Sequence, residues 1–561
     1  MSAHFDIATF LHPDLCANKE RKEDTTESPC QDVANLVCRS CRLAQYCTKE
    51  CQITDWPRHK KTCKSDIMKS VYVPGWIREG RGPSWVSDNE LSSKFGSNQY
   101  LWGNMPAVSL LRALESKSTD RDVSLLFAAS GDLRNVVKST VEGLPDGHKG
   151  RFLLVINDIN FMIVARNAIL LFVALSLEAN DAVPIMMHLW YSALLPRVMV
   201  ETLVGVVLGP IAQTFSFRRR SLRITLMKHQ WDKLNDYLHV PTEMTQEDAQ
   251  DIRRRVMLAA ERVDYLHRAL CNQPPSFRVA TVTFRNDGML LPHGASREEF
   301  DTPNPSFFHE DRTWPMMDDA SPLDGWNYHE YIKFAPRASN DIMGSFFFFL
   351  RDTLLCFCKR IEDIDIHFQL FNVDARELPR YLSTEESFDC IEVSNICDRG
   401  YVGFERVLST FGPLLKSKAV SPHATLLMLF LNAVGEVYEQ HDRNGQRRFR
   451  ESRRLMQQFI PLTPQNIMSM MVGDAMSSPE MIRISSCYTM FGDLEKAFGV
   501  YMEETQMYRF MQKHGMKIKR KDSIVEPWPL RITEETTLEE FAIRCATSHT
   551  GCERYMEFER L

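Results

Sequence analysis

The hydrophobic pattern along the middle of the chain predicts an α/β sheet. Residues 122–130 (DVSLLFAAS) have the composition of a short buried strand, and Gly131 separates them from a helical pattern, DLRNVVKSTVEGL. A second apolar run, RFLLVIND, ends in Asn157 and Asp158 and precedes the helical pattern NFMIVARNAILLFVAL. A strand, a glycine turn, a helix and a strand that ends in an acid are typical of the start of a parallel α/β sheet.

The same alternation returns after residue 340. We expect an apolar helix over DIMGSFFFFLRDTLLCFCKRI, strands over DIHFQLFNVDARELPRYL and FDCIEVSNICDRGYVG, and a further strand or helix over ATLLMLFLNAV. Ligands of open α/β sheets bind at the carboxyl ends of the strands. One edge of the sheet should therefore gather Gly131, Asp132, Asp158, Asp374, Ser394 and Asn395. Helix capping is the alternative role, and Asp132 and Asn160 fit N-caps well.

These patterns divide the chain into six parts. They are a cysteine-rich module at 10–66, a linker or arm at 67–98, the first part of the α/β domain at 99–178, a mostly helical insertion at 179–340, the second part of the α/β domain at 341–445 and a helical C-terminal region at 446–561. Inside the insertion, the segment FRVATVTFRNDG is predicted to be a strand pair.

Composition limits the classes of function. The chain is 25% charged and 44% hydrophobic with a net charge of −6, so no overall positive field favours nucleic acid or an acidic membrane. The segments FMIVARNAILLFVALSL and VPIMMHLWYSALL are interrupted before the roughly 18 apolar residues of a membrane span, and we expect buried helices there. No signal peptide is visible, and the cysteines cluster beside a histidine, which favours the cytoplasm or nucleus.

Residues 16–63 hold seven cysteines and one histidine that can ligate metal. The spacing is Cys38-x2-Cys41-x5-Cys47-x3-Cys51-x7-His59-x3-Cys63, with Cys16 and Cys30 upstream. Eight ligands are the number that two tetrahedral zinc ions require, and a filled coordination sphere marks a structural site. A module this short depends on metal to fold.

The order of these ligands, ending in YCTKECQITDWPRHKKTC, resembles the MYND-type zinc finger. The resemblance implies that Cys16, Cys30, Cys47 and Cys51 hold one zinc ion, and that Cys38, Cys41, His59 and Cys63 hold the second. The family usually opens with a short C-x2-C, whereas thirteen residues separate Cys16 from Cys30 here, as in many fungal MYND proteins.

MYND fingers bind short proline-containing peptides, and the resemblance places Gln52 and Trp56 in the peptide groove. Packing of the small module is the alternative role of Trp56. Arg58, Lys60, Lys61 and Lys64 occupy one short helix without an aromatic stacking platform, so we interpret them as solvated charge and do not expect a nucleic-acid partner.

The order of the α/β elements resembles class I S-adenosylmethionine methyltransferases, which implies cofactor contacts from Gly131, Asp158 and Asp374. The segments LWGNMPAVSLL, FAASGDLRNVVKS and VINDINFMIVARNAILL resemble more specifically the N-terminal domain of dynein axonemal assembly factors and many fungal MYND proteins, a domain without a settled activity. A methyltransferase turn normally holds several glycines, and ASGDLRN offers one. A degenerate cofactor fold that serves as a scaffold is therefore favoured.

The sequence thus predicts a two-zinc MYND finger followed by a Rossmann-like (methyltransferase-like) parallel sheet domain with a large helical insertion. The predicted function is a protein–protein interaction adaptor or assembly factor whose finger recruits a proline-containing peptide, without a membrane partner. The alternative is an S-adenosylmethionine-dependent methyltransferase that uses the strand-end cleft. No catalytic residue is assigned, and HExxH, GxSxG and P-loop patterns do not occur in the sequence.

Overall fold

The structure is a computed structural model. It describes residues 6–18, 33–85, 95–114, 119–208, 214–217, 220–442, 446–460, 464, 468 and 477–561. One predicted zinc ligand, Cys30, lies outside the described residues.

A mixed sheet forms the centre of the protein. The strands of the described residues are β1 (Leu36–Val37), β2 (Gln45–Tyr46), β3 (Val123–Phe127), β4 (Arg151–Asn157), β5 (Leu194–Leu195), β6 (Thr214–Phe217), β7 (Arg220–Thr225), β8 (Thr302–Pro303), β9 (Asp365–Phe371), β10 (Cys390–Glu392), β11 (Thr425–Phe430), β12 (Met516–Ile518) and β13 (Arg554–Arg560). Nine of these described strands form one sheet in the order β12-β13-β11-β10-β3-β4-β9-β7-β6.

The six strands from β11 to β7 run parallel to one another. Strand β13 pairs antiparallel with β11 and β12, and β6 pairs antiparallel with β7. The register aligns Glu392, Phe127, Ile156 and Leu370 across the carboxyl ends of four neighbouring strands. Strands β3 and β11 are buried throughout, as expected for parallel strands that helices cover on both faces.

Helices surround this sheet. Those of the described residues are α1 (Lys49–Cys63), α2 (Gly75–Arg78), α3 (Arg134–Gly143), α4 (Phe161–Ser176), α5 (Ala179–Tyr191), α6 (Arg197–Leu208), α7 (Lys228–Asp236), α8 (Gln246–Met257), α9 (Val263–Cys271), α10 (Pro275–Asp287), α11 (Tyr328–Tyr331), α12 (Ile342–Asp363), α13 (Phe404–Phe411), α14 (Ala433–His441), α15 (Gln446–Phe459), α16 (Pro479–Cys487), α17 (Leu494–Glu504), α18 (Met507–Lys513) and α19 (Leu538–Arg544). Short 3-10 helices occur at Ile7–Leu11, Asp66–Met68, Leu110–Leu114, Ala260–Arg262, Ile332–Phe334, Leu378–Arg380, Gly412–Leu414 and Tyr488–Phe491.

The predicted parallel α/β sheet is confirmed. The most apolar segments are buried helices, α4 and α5, and they pack against α12 in the largest hydrophobic cluster. Every residue from Ile163 to Leu175 is buried. Within the part of the chain that the structure describes, no helix has the length and apolar character to cross a membrane.

Three elements differ from the sequence prediction. The segment predicted as a strand pair is helix α10, because Pro275 at its first turn and Gly288, with φ of 71°, at its C-cap are typical helix boundaries. The predicted helical insertion supplies β7 to the parallel sheet, beside β9. The predicted helical C-terminal region supplies β12 and β13, and β13 extends the sheet through the edge of β11. Strand pairing over such distances along the chain is a tertiary property that local patterns do not report.

Candidate metal centre

Four donor side chains of the cysteine-rich module converge at one point. The donor atoms of Cys38, Cys41, His59 and Cys63 all lie within 4.8 Å of one another, and all four residues are buried. The Sγ atoms of Cys38 and Cys63 are 3.9 Å apart, and the Sγ of Cys41 is 3.4 Å from Nε2 of His59. Three sulfurs and one imidazole nitrogen at this separation suit tetrahedral zinc.

A second cluster lies beside the first. The Sγ of Cys47 is 3.8 Å from that of Cys16 and 3.4 Å from that of Cys51. These three thiols form a second potential metal group within the described residues, and the resemblance assigns Cys30 as their fourth ligand. The two groups interleave along the chain as the resemblance implies.

Helix α1 brings the ligands of both groups together. Thr48 caps its N-terminus by accepting a hydrogen bond from the backbone N–H of Cys51. Cys51, His59 and Cys63 then lie on its buried face, since intervals of eight and four residues are close to whole helical turns. The hairpin of β1 and β2 carries Cys38 and Cys41 between its strands.

Two thiols of the first cluster differ in the direction of their pKa shifts. Burial raises the pKa of Cys41 to about 12. Burial would also raise the pKa of Cys38, but the backbone groups of Cys41 and Ser40 donate to its sulfur and lower it. Zinc binds the thiolate form, so an ion at this cluster displaces the proton of Cys41, and its charge stabilises the buried anion.

A buried carboxylate, Asp55, ties the module together. It accepts hydrogen bonds of 2.8 Å from the hydroxyl of Tyr46 on β2 and from Nε of Arg58. Arg58 in turn donates to the carbonyl of Ala17, the residue after Cys16. The sequence analysis missed Asp55, although its place four residues from both Cys51 and His59 puts it on the ligand face of the helix.

The side of α1 next to the ligand face presents apolar side chains to solvent. Ile53 is 62% exposed and Trp56 is 39% exposed, while Gln52 is half-buried. The Trp56 ring also contacts His59, with ring centroids 5.9 Å apart. Both roles foreseen for Trp56 are therefore compatible with its position, since one part of the ring packs and the other is accessible.

The turn that carries Cys41 and Arg42 binds the module to the rest of the protein. Asn340 donates from its backbone N–H to the carbonyl of Arg42 at 2.9 Å and from its side chain to the carbonyl of Cys41 at 2.8 Å. Arg278 of α10 donates to the carbonyls of Ile67 and Lys69, just after the module. Sequence patterns carry no signal for these contacts, because the partners are more than 200 residues apart.

The strand-end residues predicted to hold a cofactor bond mainly to one another. Gly131, with φ of 57°, donates its backbone N–H to the carboxylate of Asp158 at 3.0 Å, and Asn160 donates its N–H to the same carboxylate. Asp374 lies further along this edge, and its carboxylate pairs with Arg376. The three predicted residues thus share the carboxyl edge, but their polar groups already have partners in the chain.

Segment 99–110 lies along the start of α3, at the same edge. The backbone N–H of Gly103 donates to Asp132 at 2.8 Å, that of Val108 to Asn135 and that of Leu110 to Ser139. The capping alternative is confirmed for Asn160, whose side chain accepts from the first turn of α4. Asp132 accepts from the backbone N–H of Arg134, the first residue of α3, and also from the side chain of Arg134 and from Gly103 in this segment. The polar groups of Asp132, Asn135 and Ser139, next to the glycine turn, therefore bind protein backbone.

Comparisons with known proteins agree with the metal centre. A MYND finger model matches residues 28–63, and a domain of unknown function (DUF4470) matches residues 101–195. A Drosophila melanogaster protein described as "Zinc finger MYND domain-containing protein 10 homolog" is 38% identical over 50 residues, which are 9% of this chain and 11% of that protein. The match thus spans about a tenth of this relative's length. No solved structure matches this chain. The predicted MYND finger is confirmed, and the chain carries a zinc-binding module of that type near its N-terminus.

Proposed function

We propose that the protein is an adaptor whose zinc-folded finger captures a proline-containing peptide on the exposed face of α1. The observation that carries this proposal is the exposure of Ile53 and Trp56 on a helix whose neighbouring face is anchored by metal ligands. MYND fingers are protein-interaction modules. A proline-rich peptide is extended before binding and docks on aromatic surfaces at low entropic cost.

Zinc in this proposal has a structural role. Four protein donors converge at the Cys38 cluster, which leaves no position for water or substrate on a tetrahedral ion. We further propose two zinc ions per chain, the second held by Cys16, Cys30, Cys47 and Cys51. Elemental analysis of the purified chain should give two zinc ions per molecule, and Cys30→Ser should lower the second ion's occupancy. A ratio of one in the unaltered chain would refute the second site.

The peptide proposal is tested on an array of proline-containing peptides with matched proline-to-alanine copies. The full chain should bind a subset of the proline peptides and lose that binding with Trp56→Ala, at unchanged zinc content. Tyr508→Ala is the matched control, because Tyr508 is an exposed aromatic residue (62%) on α18, outside the finger. Equal capture by Trp56→Ala and the unaltered chain would refute the proposal.

For the α/β body we propose a Rossmann-like scaffold. Its support is the sheet order, in which β4 and β9 follow β3 on one side and β10 and β11 lie on the other, as in doubly wound folds. Ligands of such folds bind beside the carboxyl end of the central strand, where Gly131 and Asp158 here bond to each other. Millimolar S-adenosylmethionine should leave the melting temperature unchanged, and a concentration-dependent rise would restore the methyltransferase alternative.

A further inference from the structure

The part of the finger at residues 33–64 has a charge opposite to that of the whole chain. Residues 33–64 contain seven basic side chains (Arg39, Arg42, Lys49, Arg58, Lys60, Lys61 and Lys64) and two acidic ones (Glu50 and Asp55), whereas the chain carries a net charge of −6. Asp55 is buried against Arg58 and does not offset the exposed lysines. The accessible surface of residues 33–64 is therefore a local basic region.

Three of these lysines share the face of Ile53 and Trp56. Intervals of three and four residues connect Lys49 to Ile53, Ile53 to Trp56, Trp56 to Lys60 and Lys60 to Lys64, so the five side chains form one stripe along α1 and its C-cap. The Nζ of Lys64 lies 5.9 Å from the centre of the Trp56 ring. The apolar contact surface is thus bordered by ammonium groups along its length.

These ammonium groups have no ion-pair partner among the residues that the structure describes. Nearby basic residues do have partners, since Lys69 lies 2.6 Å from Asp66 and Arg58 lies 2.6 Å from Asp55. Lys60 and Lys64, four residues apart on the helix, repel each other. A carboxylate placed between them would relieve that repulsion.

We propose that the peptide bound by the finger carries acidic residues next to its apolar, proline-containing anchor. The proposal rests on the peptide-binding function proposed above and specifies the partner's chemistry. The anchor would contact Ile53 and Trp56, and flanking Asp or Glu side chains would face Lys49, Lys60 and Lys64. Charges at the rim of an interface mainly set specificity and association rate, and salt screens them.

The test measures binding of the full chain to three labelled peptides with one anchor and acidic, neutral (Gln) or basic (Lys) flanks. The acidic peptide should bind about three- to tenfold more tightly than the neutral one at low salt, and 0.5 M salt should remove most of this difference. Lys49→Gln/Lys60→Gln/Lys64→Gln should abolish the preference while zinc content and neutral-peptide binding stay unchanged. Equal affinities for the acidic and neutral peptides, or a preference that survives this triple variant, would overturn the proposal.

Two further arms separate the other outcomes. Lys359→Gln/Lys496→Gln/Lys521→Gln removes the same charge from exposed positions outside the finger and should keep the preference. If none of the peptides binds, whatever its anchor or flanks, the peptide-binding function itself is refuted. If the neutral peptide binds as tightly as the acidic one, only the acidic-flank proposal is refuted. Tighter binding of single-stranded DNA than of the acidic peptide at equal ionic strength would overturn it in favour of nucleic acid.

Discussion

Substitution of Asp55 by alanine tests whether one buried carboxylate holds the finger together. Asp55 is 2% exposed and connects β2, α1 and, through Arg58, the segment that carries Cys16. Its removal leaves the hydroxyl of the fully buried Tyr46 without its acceptor. We therefore expect Asp55→Ala to weaken zinc binding although Asp55 is not among the predicted ligands.

The contacts of Asp55 set the size of the effect. A buried hydrogen bond to a charged group contributes about 1.5–3 kcal/mol. The ion pair with Arg58 adds about 0.5–1 kcal/mol, since the guanidinium is 47% exposed and water screens it. A loss of about 2–4 kcal/mol follows, and because metal binding is coupled to folding of the finger, apparent zinc affinity should fall about 30- to 700-fold.

The assay is competition for zinc between the full chain and a chromophoric chelator. Tyr46→Phe removes the hydroxyl together with its need for an acceptor and should cost less than half as much as Asp55→Ala. Asp146→Ala is the control for removal of a surface carboxylate, because Asp146 is fully exposed. Zinc affinity of Asp55→Ala within threefold of the unaltered chain would refute the reasoning.

Three further predictions concern the rest of the fold. Asn340→Ala should raise amide hydrogen exchange over residues 38–45 about fivefold through loss of one hydrogen bond of about 1 kcal/mol, and unchanged exchange would contradict this docking contact. Asp389→Ala should lower the free energy of unfolding in urea by about 3–5 kcal/mol, because Asp389 is fully buried between two cations, whereas Asp146→Ala should have almost no effect. Burial raises the pKa of Glu392 from 4.5 to about 7, so the folded state retains a proton that the unfolded chain releases, and the stability contributed by this residue falls as pH rises from 4.5 to 7. Glu392→Gln should therefore stabilise the protein by up to about 3 kcal/mol more at pH 8 than at pH 4.5, and an equal effect at both pH values would contradict this assignment.

The sequence predicted the central strands of the body because their signal is local. The segments that became β3 and β4 are short apolar runs bounded by polar or turn residues, whereas the run that became β11 was compatible with a strand or a helix. Helix α10 was assigned wrongly because its β-branched residues favour a strand, and the helix is determined by its boundaries and by the burial of Phe277 and Phe284. Strand β13 joins the sheet by pairing with β11, more than 120 residues earlier in the chain, and β12 pairs with β13, which propensity does not indicate.

The candidate sites likewise have features that the sequence predicted and features that only the structure shows. The spacing of seven cysteines and one histidine indicated the metal centre, since ligand type and interval follow from coordination chemistry. In the structure the predicted zinc ligands form two groups, as expected, and Cys30 lies outside the described residues. At the predicted cofactor edge, sequence order did not show that Gly131 and Asp158 bond to each other or that segment 99–110 covers the neighbouring turn.

The sequence by itself determined that the chain has a zinc-binding MYND finger and a parallel α/β body, because ligand spacing and hydrophobic period act over a few residues. Only the tertiary structure decided which groups remain available. It buried Asp55 in a network, docked the cysteine turn on Asn340 and left Ile53 and Trp56 exposed between lysines. The physical reason is that hydrogen-bond saturation and solvent exposure depend on which elements pack together, whether the partner is 9 residues away, as Tyr46 is from Asp55, or 299, as Asn340 is from Cys41, and a local pattern does not contain this information.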